Sequence, residues 1–515
     1  MVSFCSGLQR RRRSWPKSFP LLSLLLVINI TVCLSLIVRG KRCPVFHGAR
    51  PPISNEIIAN ELRIEGTVPP ELEGVLFRTG SNQRWEPARP DRYHWFDGDG
   101  MVHGFYISNG AVNYRNKWVR TEGFKEEEAA GRSLYNGIYG SYEVAQPQLE
   151  KGPAAVKQVA NVNVVEIDGR VLALQEAGRH YYELDRNTLE TIGTFDFHGA
   201  IDALVTAHIH TDAAKNELLL YTVEPETRRF VCALADKQGN ILKQHVVTLD
   251  APAYIHDFMF TENHFVFFFG PINWRPESPD RVPAGKSAWT FDPKQSNRTL
   301  VVHRQTGATQ WFTDEAYQTT HFVNAYEEDG KIIVDGCVSD LQFVDDIKVE
   351  NFFPFPFPDA GRSPFTPPAL YRWTLDLDAG QMTRARVGNF SVEFPRINEK
   401  LLGAKHQYGY FAGVHQPKSD SHDFNCLIKH DFISGKTEYQ TLEGDRDVSP
   451  AEPIFVAKPD AVSEDDGWLL VVWWDPQTNK SELVIHDASD FTGAPLARVK
   501  LDHHIPLGFH GNWIP

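Results

Sequence analysis

From about residue 60 to the end of the chain, apolar residues come in runs of four to eight, alternating or continuous, each closed by Asp, Gly or Asn. The segments 162–175, 216–225, 264–271, 330–338, 370–387 and 468–487 have this form, and several fold back across a polar turn such as Asp168-Gly169 or Asp378-Ala379-Gly380. A period of two between turn signals predicts antiparallel hairpins. Helical periodicity is nearly absent from this stretch, and no Pro/Gly/Ser-rich linker divides it. The pattern therefore predicts an all-β body, and so many strand pairs in one uninterrupted stretch fit a β-propeller better than a string of sandwiches. The inner strands of separate propeller blades can bring residues distant in sequence to a common axis.

Two segments depart from the pattern. Residues 21–38 contain no charge, and Phe19 and Pro20 extend the run. As a helix the eighteen residues would reach roughly 27 Å, the lower edge of a bilayer core. The run lacks a small-residue cleavage signal before Arg39, which favours a single-pass N-terminal anchor through residues 19–38 and a membrane-associated protein. A cleaved secretory signal and an organelle-targeting segment are the alternatives. Residues 1–42 are thus set apart as a basic N-terminus with an anchor or targeting segment, and 43–515 as a single domain. The second departure is 351–369, where Phe352, Phe353, Phe355 and Phe357 stand among prolines that forbid regular sheet interior. It reads either as a stiffened loop over one face or as an apolar lip at a substrate entrance or membrane surface.

Charge narrows the partners. The net charge of -14 hides eight basic residues and no acid in 1–42, so the remainder carries 44 basic against 66 acidic residues. A body that acidic, without a basic stripe, is a poor match for a phosphate backbone, and nucleic acid is not an expected partner. Cys5, Cys33, Cys43, Cys232, Cys337 and Cys426 are scattered without a CxxC pair, too sparse for a disulfide scaffold or a thiolate metal site. Aromatic residues make up 12% of the chain, enough to serve both strands and the wall of a tunnel for a long apolar ligand.

Among 20 histidines, four stand in short polar-aromatic contexts at strand ends: His208 in AHIH, His256 in IHDF, His321 in THFVNAYE and His510 in GFHG. No HExxH or local zinc spacing joins them, and spacing alone leaves them as ordinary histidines. Joined in this order, however, with GTVPPELEGVLFRTGSN at 66–82 and YHWFDGDGMVHGF at 93–105, they make the chain resemble the carotenoid cleavage oxygenase family over nearly all of its length after residue 60. That family includes carotenoid, apocarotenoid and stilbene cleavers and a retinoid isomerohydrolase.

The resemblance implies a seven-bladed propeller with a loop and helical cap over the metal-bearing face. It implies Fe(2+) held by His208, His256, His321 and His510, with Glu176, Glu393 and Glu452 accepting hydrogen bonds from His256, His321 and His510 in that order. His208 is left without such a carboxylate, and His210, His264, His503 and His504 match no ligand position. The implied activity is oxidative cleavage of a conjugated double bond of an apolar small molecule, by molecular oxygen, to two carbonyl products. Four imidazoles suit a borderline ferrous ion, and outlying carboxylates orient the rings and offset its charge. Isomerohydrolase chemistry on the same metal site and a non-enzymatic binding propeller are the alternatives.

Overall fold

A computed structural model of the chain describes residues 48–87, 93–135, 157–176, 178–224, 227–250, 254–274, 289–292, 294–340, 366–416, 424–442 and 448–515. Backbone packing separates Met1–Pro44 from Val45–Pro515. Phe352, Phe353, Phe355 and Phe357 lie outside the described residues.

The described residues form an all-β fold of antiparallel sheets following one another along the chain. The reason is visible strand by strand. Ala111–Trp118 buries Val112, Tyr114, Asn116 and Trp118 and turns the residues between them outward. Its neighbour Gly100–Ser108 lies mid-sheet and is buried almost throughout, because both faces of that sheet are covered. Ile241–Thr248 closes its sheet as an outer strand, with strict alternation of half-buried and exposed positions.

Successive sheets share their cores. Phe77 and Val102 pack with Val164 and Tyr182 of the next sheet, and Leu172 and Leu174 of that sheet pack with Leu218 and Leu220 of the third. Tyr221 and Phe230 continue to Phe265 and Phe267, and Val266 and Phe268 continue to Val334 and Trp373. The circuit closes where Trp468, Leu483 and Val499 meet Leu76, Phe105 and Tyr114. Hydrogen bonds close it too: Gly511–Ile514 at the C-terminus pairs with Gly74–Ser81, with Arg78 opposite Gly511, and Ile64–Gly66 pairs with Ala497–Lys500.

One sheet of seven strands is two units joined by a shared strand. Gln381–Arg396 pairs through its first part with Ala369–Asp376 and through its last residues with Tyr408–Val414, with a register shift between Glu393 and Arg396. A buried cluster containing Leu370, Val392 and Phe411 fills the space between the two halves.

The expected membrane-spanning helix is corrected. No helix among the described residues is long and apolar enough to cross a membrane. The α-helix Glu122–Ala130 has nine residues, about 14 Å, and carries four glutamates and a lysine. Residues 19–38, on which the anchor rested, lie outside the described residues. The single-pass location drawn from them is withdrawn.

Candidate metal centre

The four histidines come from four different sheets, His321 within a strand and the other three in segments next to one. His208 lies between Leu204–Val205 and His210–Asp212, His256 precedes Met259–Phe260, His321 belongs to Tyr317–Glu328, and His510 immediately precedes Gly511–Ile514. The pairing of Tyr317–Glu328 with Lys331–Asp340 slips between Thr319 and Phe322, an irregularity of the kind that re-aims a side chain beside it. His510 is held through its backbone: its amide donates to Val162 O at 3.1 Å and its carbonyl accepts from the Thr79 amide at 3.0 Å. Gly80 and Gly508 allow this approach, since a Cβ on Gly80 would lie 2.5 Å from the Gly508 Cα.

The four side chains converge, with one nitrogen from each within 4.8 Å of all the others. His256 Nε2 stands 3.2 Å from His208 Nε2 and 3.1 Å from His321 Nε2. His510 completes the group, its ring centroid 4.7 Å from those of His208 and His321.

The outward nitrogens of three rings face carboxylates. Nδ1–H of His256 donates to Glu176 Oε2 at 2.6 Å, that of His321 to Glu393 Oε2 at 2.5 Å, and that of His510 to Glu452 Oε1 at 2.9 Å. This pattern sets the tautomer: each Nδ1 keeps its proton and each Nε2 presents a lone pair inward. His256 and His321 then direct lone pairs at each other across 3.1 Å with no proton to share. That repulsion becomes attraction when a cation lies between them. Two nitrogens at right angles on an ion, each at about 2.1 Å, would be about 3.0 Å apart, so the donor set fits a divalent transition ion.

Protonation states agree in part. Burial holds the His208 and His510 imidazoles well below their ordinary range, so both are neutral and ready to ligate. For His256 burial acts in the same direction, but the Glu176 carboxylate outweighs it and the net shift is upward. Burial also raises the Glu452 carboxyl, against the pull of Arg396 and Arg78.

Several neighbours carry no sequence signal of their own. The Tyr254 hydroxyl donates to Glu176 Oε2 at 3.1 Å. Arg396 Nε lies 3.3 Å from Glu452 Oε1, while Arg396 Nη2 binds the Gly511 carbonyl and, at 2.8 Å, Asn512 Oδ1. Arg78 is buried and donates to the carbonyls of Glu452 and Phe509, each at 3.3 Å. Two guanidinium groups thus grip the backbone on both sides of His510. Phe394 has a left-handed backbone, φ 53°, and lays its ring 5.4 Å from His321 and 5.5 Å from His510 between centroids. Strain of that kind in a bulky residue is retained only where the surroundings enforce it. Adjacency to the motifs could have flagged Arg396 and Phe394, which follow Glu393 in EFPR, but nothing in the string indicates what they touch.

Of the other motif histidines, His210 donates to Asp257 at 2.9 Å and His264 to Glu327 at 3.0 Å. His503 and His504 contact Tyr114 and the Pro51 carbonyl. In the WFDGDG motif, Asp97 accepts from its own backbone at His94, whereas Asp99 reaches the Arg84 amide and pairs with buried Lys157.

Replacing Glu393 by glutamine keeps an acceptor for the His321 N–H and removes the charge. Metal affinity or turnover is expected to fall about 10- to 100-fold, read by chelator competition and steady-state rate. Wild-type values for both would deny Glu393 a part in the centre.

Residues 51–515 match the family model described as retinal pigment epithelial membrane protein. The chain is 32% identical over 470 residues to the apocarotenoid-15,15'-oxygenase of Synechocystis, covering 87% of this chain and 92% of that one. It is 30% identical to the isoeugenol monooxygenase of Pseudomonas nitroreducens, covering 92% and 98%. Among solved structures, the lignostilbene dioxygenase of Pseudomonas brassicacearum superposes with a TM-score of 0.81 at 26% identity, covering 92% of this chain and 98% of that one.

Proposed function

The chain belongs to the retinal pigment epithelial membrane protein family, which takes in the carotenoid cleavage oxygenases, and we propose that it is a non-haem iron(II) dioxygenase cleaving a conjugated carbon-carbon double bond of a carotenoid, apocarotenoid or hydroxystilbene. Membership makes it an oxidoreductase of the oxygenase class. The proposed substrate class follows the apocarotenoid, isoeugenol and carotenoid oxygenases that the chain is similar to. The single observation that carries the metal reading is the convergence of four imidazoles, three of them with Nδ1 committed to glutamates.

In this reading His208, His256, His321 and His510 hold Fe(2+), and Glu176, Glu393 and Glu452 hold the ring protons outward. Iron(II), when bound, supplies the binding and activation of molecular oxygen. The protein's own part is position and exclusion. Glu393 and Glu452 have almost no solvent exposure, so the rings they hold are fixed in a dry wall, whereas the Glu176 side chain is 23% exposed and marks the wetter side. Phe394 covers His321 and His510 and keeps water from that face. The balanced change is one double bond and one dioxygen giving two carbonyl groups, with no protein nucleophile or further cofactor needed.

We also read residues 43–515 as one seven-bladed propeller with a cap over the metal-bearing face. Support comes from the closed circuit of shared cores and from a long strand serving two adjoining units. On sequence grounds alone, Phe352, Phe353, Phe355 and Phe357 stay with this proposal as apolar entrance residues.

The test is oxygen-dependent product analysis of the full chain after anaerobic iron loading, with β-carotene, an 8′-apocarotenal, resveratrol, isoeugenol and a retinyl ester. Carbonyl pairs that require both iron and oxygen are expected from at least one alkene. Retinol without oxygen uptake, from the ester alone, would replace the oxygenase reading with isomerohydrolase chemistry.

A further inference from the structure

Three of the four candidate ligands have a glutamate at Nδ1, and among the described residues His208 has none. Asp257 is the carboxylate nearest to that gap. It is 5% exposed, follows His256 directly, and its Oδ1 lies 3.8 Å from His208 Nδ1, beyond hydrogen-bond length but within strong Coulomb range. The same oxygen accepts from His210 Nε2 at 2.9 Å and from the Phe258 amide at 2.8 Å. Its other oxygen accepts from the Phe322 amide at 3.1 Å. His210 is two residues from His208, Phe258 two from His256, and Phe322 one from His321. One buried side chain therefore ties together three segments from three sheets, each carrying a candidate ligand.

We propose that Asp257 is a positioning residue of the metal centre, clamping the segments of His208, His256 and His321 in register and giving His208 the negative neighbour that glutamates give the other three. The inference rests on the metal reading above and goes beyond it by naming a fourth carboxylate. Both oxygens are needed as acceptors, because N–H donors approach each of them. Asparagine has the same shape but one acceptor, so its NH2 must face an N–H, and buried donors set against each other force the segments apart.

The test uses Co(II) as a spectroscopic stand-in for a divalent ion, on the full-length Asp257→Asn protein. Release of cobalt to a chelator is expected to quicken about 10- to 100-fold, the range for groups that support metal ligands, with altered visible ligand-field bands in the fraction still bound. Amide exchange of the metal-free protein is expected to quicken over 204–212 and 317–328, with 468–487 unchanged. His210→Phe, which cuts the tie from Asp257 to the His208 segment and leaves those to Phe258 and Phe322, is expected to quicken exchange over 204–212 and leave 317–328 as in the wild type. Wild-type release, spectrum and exchange in Asp257→Asn would overturn the proposal. So would faster release with an unaltered spectrum and exchange raised throughout the chain, the mark of general destabilisation. A wild-type protein that takes up no cobalt or iron would instead count against the metal reading, and the exchange of the metal-free variant would still decide whether Asp257 clamps these segments.

Discussion

His256→Ala is expected to retain no iron after dialysis and to yield no carbonyl product, and His321→Ala to behave in the same way. The two differ in what they do to the fold. His321 is the partner of Glu393, which is 1% exposed and would be left with the Phe394 amide, so removing the ring costs about 1.5–3 kcal/mol of stability. His256 is the partner of Glu176, whose side chain is 23% exposed and also accepts from Tyr254. Water can replace the lost ring there, so His256→Ala is the cleaner variant. Metal analysis, product analysis and a thermal melt read all three effects together. Stoichiometric iron with full turnover in either variant would remove that histidine from the ligand set.

Acid should destabilise the protein steeply, for reasons outside the metal centre. His103, His406 and His486 are 3%, 3% and 1% exposed. Burial holds His406 down at about 3, His486 at about 4 and His103 well below the ordinary range. The sign follows from proton counting. Above pH 6.5 these rings are neutral both folded and unfolded, and stability is complete; as pH falls below 6.5 only the unfolded chain takes up protons, and stability is lost. At pH 5.5 each ring costs about 1.4 kcal/mol, so the three together remove roughly 4 kcal/mol, a large part of the 5–15 kcal/mol typical of a domain. Neither ring nitrogen of His486 has a hydrogen-bond partner among the described residues. His486→Leu should therefore recover about a third of the loss. Denaturant unfolding at pH 7.5 and 5.5 checks this; equal stability at both values would show that these rings are not held neutral.

The sheets were legible because a strand half-exposed to solvent must alternate, as Ile241–Thr248 does, and one buried on both faces must run apolar, as His264–Phe269 does. The dual pairing of Gln381–Arg396 was not legible. Its outer half alternates around exposed residues while its end is buried, so it reads as a strand followed by a loop. The candidate ligands were found by their joint order and family resemblance, since each glutamate meets its histidine 58 to 80 residues away and no local pattern records that meeting. Asp257 and Arg396 escaped for the same reason: their partners lie 47 to 65 and about 115 residues distant. The anchor expected from the length of the apolar run and its lack of a cleavage signal falls on residues outside the described ones, and no helix among the described residues is long and apolar enough to cross a membrane.

One divalent iron is expected among His208, His256, His321 and His510. Crystals of the full chain grown anaerobically with Fe(II), with data collected on either side of the iron absorption edge, address it directly. The expected result is one strong anomalous peak per chain, bonded to a nitrogen of each of the four rings, with Glu176, Glu393 and Glu452 on the far nitrogens of three. A peak bound elsewhere, or its absence from fully loaded crystals in which the four rings are ordered, would contradict it.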